Sequence, residues 1–95
     1  MASETIGQRI KRERLSRDMT QRDLAAAAGV GVPYISKIEA DREVPADEKI
    51  VKIAKALKID SAVLLLTARR VPPDLLDKLA ADPARGIEFL RTWKR

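Results

Sequence analysis

The sequence predicts an all-α protein, and three observations carry that prediction. Apolar residues recur at helical spacing: Ile50, Ile53, Ala54 and Leu57 fall at i, i+3, i+4 and i+7, and Ile6 and Ile10 begin a stripe of period four. Residues that cap helices stand at the edges of such stretches, with Thr20 before Gln21–Ala28 and Asp60 or Ser61 before a run ending at about Thr67. Gly29 and the pair Pro72–Pro73 stand where a helix must stop.

The first helix carries Ile6, Ile10 and Arg14 at i, i+4 and i+8, so a charged side chain continues its apolar stripe. Arg14 therefore points inward and requires a partner. Glu39, flanking the buried face of a later helix, is the candidate, two solvated charges being the alternative. The next helix starts at a Thr20 cap and ends at Gly29, where the backbone needs a positive φ angle. A further helix runs from Val32 to about Ala40, with Pro33 in its first turn, where a missing N–H costs least. Helices so closely spaced must cross, and the small Ala25 and Ala28 permit the approach.

In the Val32–Ala40 helix, Ile35 and Ile38 point the same way and form the buried anchors. Pro33, Ser36 and Lys37 then face outward, with Val32 and Tyr34 on the flanks. A helix seated by so few apolar residues, and presenting short donors and a cation, suits a major groove about 12 Å wide. A solvated helix of an ordinary bundle has the same periodicity, so the pattern alone leaves both readings open.

Asp47 to Lys58 forms an amphipathic helix whose carboxylates Asp47 and Glu48 favour its positive end, and whose lysines 49, 52, 55 and 58 read as a solvated face. Val63, Leu64 and Leu65 of the following helix are expected to close the core. With only three aromatics among 95 residues, that core must be aliphatic, led by Ile10, Leu24, Ile35, Ile38, Ile53, Leu57 and Leu64. Beyond the break at 69–73, two short helices are expected, Pro73–Ala81 and Pro83 to about Lys94, the second capped by Asp82.

The net charge of +5 fits a polyanionic partner. Residues 1–71 hold 14 basic and 10 acidic side chains, and 72–95 hold five and four, so most of the excess sits in the part of the chain that contains the two closely spaced helices. With no Cys and no His there is no disulfide, thiolate nucleophile, imidazole base or ordinary zinc site. No glycine-rich phosphate loop or nucleophile elbow occurs. The expectation is a non-enzyme with no cofactor and no metal. No apolar run approaches the roughly 20 residues of a membrane span, and no signal-peptide core opens the chain, so a cytoplasmic protein without a membrane partner is expected.

Arg14, then Thr20, Gln21, Leu24 and Ala25 in a T-Q-x-x-L-A pattern, Gly29, the I-S-K-I-E run of Ile35–Glu39, and Pro45 stand in register over some thirty positions. In these residues the stretch from Ile6 to about Leu66 resembles the Cro/C1-type (XRE-like) helix-turn-helix regulators. The resemblance implies a five-helix lambda-repressor-like DNA-binding domain with a short C-terminal helical extension, divided here as 1–70 and 71–95. It also implies a transcriptional regulator, expected to be a repressor, with double-stranded DNA as partner. By position, Val32, Pro33, Ser36 and Lys37 fall on base contacts, Gln21, Tyr34 and Arg42 on phosphate contacts, and Arg14 and Glu39 on a structural ion pair. Relatives often carry amides where Val32 and Pro33 stand. Apolar groups there can meet a thymine methyl but cannot form bidentate hydrogen bonds, which leaves Lys37 as the polar reader. Gly31 replaces a common Ser or Thr cap, and Asp41 a common Gly.

The tail concentrates exposed-looking apolar residues, Leu76, Leu79, Phe89, Leu90 and Trp93, and holds two of the three aromatics. These are the expected dimer contacts, since one recognition helix reads few base pairs and two copies read a pseudo-palindrome. The alternatives are packing on the same chain, or an antitoxin-like or adaptor module whose C-terminal helices bind another protein.

Overall fold

The computed structural model describes residues 4–94. Its elements are α1 (Ile6–Leu15), α2 (Gln21–Ala28), α3 (Val32–Glu39), α4 (Asp47–Leu57), α5 (Ser61–Thr67), α6 (Pro73–Ala81) and α7 (Pro83–Thr92). Among the described residues there is no strand, as the periodicity predicts.

Local chemistry sets the boundaries. Thr5 accepts from the Gln8 N–H at 3.0 Å while the Gln8 amide oxygen accepts from the Thr5 N–H at 3.0 Å, closing a reciprocal cap on α1. Thr20 and Asp23 do the same for α2, at 3.0 and 2.9 Å. The hydrogen bonds from Thr20 hold the Asp23 carboxyl below its usual range. Gly29 ends α2 at φ 70°, and Asp60 rather than Ser61 caps α5. Other stops are less orthodox: Asp18, Asp41, Lys58 and Arg69 all take left-handed backbone, at φ 53°, 59°, 59° and 65°. Each such non-glycine residue costs about 1–2 kcal/mol, so the surrounding packing must impose the turn.

Helices α1–α5 enclose one aliphatic core. Ile10, Leu24, Ile35, Ile38, Ile53, Leu57 and Leu64 are all fully buried, together with Ile50 and Pro45. Helix α4 packs on both α2 and α5, while α3 packs on α1 and α2. Val63 departs from expectation. It lies 38% exposed, and Leu64 and Leu65 alone turn inward, because three consecutive residues span 200° of a helix and cannot share one face.

Helices α6 and α7 form a hairpin that packs chiefly on itself. Gly86 faces Leu79 where they cross, and a Cβ there would stand 2.6 Å from Leu79 Cδ2 and displace that methyl. Neither helix has a buried residue. The radius of gyration, 15.0 Å, accordingly exceeds the roughly 12–13 Å of a compact chain of this length. No described helix is long and apolar enough to cross a membrane.

Candidate nucleic-acid interface

The candidate surface is the outer side of the α2–turn–α3 unit. Ile35 and Ile38 seat α3 with no exposure, and Pro33, Ser36 and Lys37 are exposed beside Val32, which is 38% exposed. Gly31 caps α3 without a side-chain bond, so nothing bulky screens its first turn. Tyr34 sits lower than its neighbours, half-buried and packed on the core. Desolvation raises its hydroxyl pKa, and the carboxylates of Glu43 and Glu48 push it the same way.

Under this surface lies a charged network. Arg14 is fork-bonded to Glu39, Nε to Oε2 at 2.8 Å and Nη2 to Oε1 at 2.9 Å, and its Nη1 donates to the Met19 carbonyl at 2.7 Å. Both side chains are nearly closed off from solvent, at 8% and 3% exposure. Glu39 raises the Arg14 pKa, so the guanidinium stays charged in its recess. The pair spans α1 and the last residue of α3, which locks the outward helix to the body.

Gln21 joins this network, its amide nitrogen donating to Glu39 Oε1 at 3.1 Å. Its side chain is thus oriented from below, with an amide N–H and the carbonyl oxygen left over. A phosphate role for Gln21 would use that remainder, or the free N–H groups at the start of α2.

Two further contacts hold the same C-terminal end of α3, and the residue pattern did not flag them. The Thr5 hydroxyl donates to Asp41 Oδ1 at 2.8 Å while accepting from Gln8. Gly7, on the buried face of α1, lets that helix approach the Ile38 carbonyl so closely that any Cβ would collide with it. A glycine inside a helix is costly relative to alanine, and that cost was the available signal of a close approach.

The electrostatics separate two sets of cations. On α1 and the turn after it, Arg9 and Arg17 each meet Glu13 at 2.7 Å, and Arg12 meets Glu4 at 2.8 Å. Arg17 first, then Arg9, holds the Glu13 carboxyl below its ordinary range, as Arg12 does for Glu4. Around α2 and α3, by contrast, Arg22, Lys37 and Arg42 have no ion pair or side-chain hydrogen bond among the described residues. The Arg42 backbone is nonetheless fixed, its N–H donating to the Lys37 carbonyl at 2.9 Å. Two unneutralised cations and a short hydroxyl on one fixed helix end can bind a polyanion. The geometry brings Val32, Pro33, Ser36, Lys37 and Arg42 to one exposed region, and sets Gln21 and Tyr34 partly into the body beside it.

In the tail, Leu76, Phe89, Leu90 and Trp93 are 52%, 65%, 50% and 67% exposed. Leu79 is half-buried and faces Gly86 within the hairpin.

Comparison with known proteins agrees with this arrangement. A family model described as helix-turn-helix matches residues 10–64. The HTH-type transcriptional regulator DdrOP3 of Deinococcus deserti is 33% identical over 96 residues, covering 93% of this chain and 74% of that protein. Among solved structures, the DNA-binding domain of the P22 c2 repressor superposes with a TM-score of 0.65 at 29% identity, over 68% of this chain and 86% of that one. A chain of a SinR protein/SinI protein complex superposes at 0.61 and 27% identity, over 92% of both chains. From the matched segment, the relatives and the geometry together, the chain belongs to the XRE-type helix-turn-helix family of DNA-binding transcriptional regulators.

Proposed function

We propose that this regulator is a repressor that binds a pseudo-palindromic operator as a homodimer, with α3 of each copy in the major groove. The observation that carries the proposal is the contrast in ion pairing. The arginines of α1 are neutralised within the protein, whereas Lys37 and Arg42 beside the exposed side of α3 have no internal partner among the described residues. Lys37 reads a guanine edge, Val32 and Pro33 contact thymine methyls, Ser36 adds a short donor, and Gln21, Tyr34 and Arg42 grip phosphates. With so few polar readers, DNA shape supplies part of the discrimination. Residues 1–70 act as the DNA-binding unit and 71–95 as the dimerisation unit, through Leu76, Leu79, Phe89, Leu90 and Trp93.

Three things support self-association. The open face of the hairpin is apolar and aromatic, as interface cores are. Residues 72–95 carry five basic and four acidic side chains, so charge does not oppose pairing of two tails. A single recognition helix also falls short of the roughly 10⁻⁸ M affinity that specific sites need. Repression as the sign of regulation is drawn from the similarity to the P22 c2 repressor.

Selection of bound sequences from a random duplex library tests the whole proposal. Enrichment of one inverted repeat, with half-sites about a DNA turn apart, is the expected result. Recovery of unenriched DNA by a protein that is otherwise folded would refute it.

One observation favours a second reading of the tail. The similarity to a chain of the SinR protein/SinI protein complex extends over 92% of this chain, so it takes in most of the hairpin. In that reading the hairpin meets a different protein. Sedimentation of the purified chain decides between the two, a dimer supporting the first and a monomer the second.

A further inference from the structure

Between α5 and α6 the backbone is restrained at nearly every residue. Ala68 packs on the core. Arg69 is left-handed, its N–H bonded to the Leu66 carbonyl at 2.9 Å, and the Arg70 N–H reaches the Leu65 carbonyl at 2.9 Å. Val71 is confined by the proline that follows it, Pro72 is buried with φ −56°, and Pro73 opens α6. A junction with no glycine or serine and two consecutive prolines is a strut rather than a tether.

One side chain bolts this strut to the DNA-facing unit. Arg70 Nη1 donates to the Pro45 carbonyl and to Asp47 Oδ1, the latter at 3.0 Å. Pro45 is fully buried and lies three residues beyond Arg42, on the segment that leads from α3 into α4. The guanidinium thus joins the point where the tail leaves the body to the segment where α3 ends. The family motif includes Pro45 but says nothing of what its carbonyl holds.

We propose that Arg70 is a positioning residue that sets the angle between the α6–α7 hairpin and α3, and thereby the half-site spacing that the regulator accepts. The proposal rests on the homodimer described above. Each added base pair moves a half-site about 3.4 Å along the duplex and about 35° around it. A flexible junction absorbs such a displacement, whereas a bolted one transmits it as lost affinity.

The test uses the full chain on duplexes carrying the selected repeat with its spacer changed by −1, 0, +1 and +2 base pairs. The unsubstituted protein is expected to lose about tenfold or more in affinity per base pair of misspacing, because DNA or protein must deform. Arg70→Ala is expected to retain the dimer and its affinity for a single half-site, while losing less than about threefold per base pair. Arg70→Lys should fall between them, since an ammonium can donate to the same two oxygens but on a shorter and more flexible stem. Val71→Gly, at an exposed position, loosens the strut without touching the guanidinium and should flatten the profile in the same direction. A uniform loss at every spacing in both Arg70→Ala and Val71→Gly, or profiles that match the unsubstituted protein, would overturn the proposal. Sedimentation of the unsubstituted protein on the duplex separates the two possible failures. A monomer there removes the dimer and this proposal together, while a dimer with an unaltered Arg70→Ala profile removes this proposal alone.

Discussion

The five-helix body and the two-helix tail are built from the same kind of amphipathic segment, yet they end in opposite states. In the body, Ile10, Leu24, Ile35 and Leu57 lose all contact with water, and the inward charge of Arg14 is fork-bonded to Glu39. In the tail, Phe89 and Trp93 remain about two-thirds exposed, although their spacing is as regular as that of any core residue. The difference teaches that amphipathicity states that a face will be covered and leaves open by what. Five helices can enclose one another, whereas two in a hairpin always leave a face uncovered.

Substitutions that sharpen this contrast have a natural order of size. Glu39→Ala leaves Arg14 charged in a nearly closed recess and is expected to destabilise the fold by about 3–5 kcal/mol. Thermal or urea unfolding measures this, and a double-mutant cycle with Arg14→Ala that returns no coupling would break the idea of a lock between α1 and α3. Leu57→Ala should follow at about 2–5 kcal/mol through cavity formation. Phe89→Ala, by contrast, should leave the stability of a monomeric body within about 0.5 kcal/mol while abolishing any self-association. Equal losses from the two substitutions would mean that the tail is part of the core after all.

Smaller effects are expected at the surface. Lys37→Ala should weaken binding to the selected duplex by about 1–3 kcal/mol with the melting temperature unchanged. An equal loss on a scrambled duplex would remove its base-reading role. The smallest concerns acid. Glu13 and Glu4 have carboxyl pKa values lowered by their arginines, so their contribution is present above the unfolded value near 4.3 and is lost as pH falls through the lower folded values. Glu13→Gln should therefore lower the melting temperature slightly at pH 7, by an amount that shrinks as the pH falls. A deficit that persists in acid would point to packing instead of charge.

Much of the architecture was legible before any coordinates. The caps at Thr20 and Asp60, the stop at Gly29 and the restart at Pro73 are short-range chemistry, in which a side chain and the backbone it satisfies lie within three residues. The inward Arg14 was legible too, because a charge in an apolar stripe demands a partner. Lys58 was not. Its left-handed turn closes α4 with N–H groups of Lys58 and Ile59 bonded back to the Lys55 and Ala54 carbonyls, in a position where lysine has no local preference. Within the candidate interface, the outward side of α3 follows from its two isoleucines. The bonds that hold its C-terminal end, Gln21 to Glu39 and Thr5 to Asp41, join residues 18 and 36 apart and leave no periodic trace.

The order of residues was therefore sufficient for the helices, their ends, the inward faces and the family, because each depends on spacing within one or two turns or on a contiguous motif. Folding in three dimensions was needed to bring Arg70 to Pro45, Gly7 to Ile38 and the amide of Gln21 to Glu39, and to leave the hairpin uncovered. Those outcomes depend on which surfaces come within reach of one another, and distance along a chain does not encode distance in space.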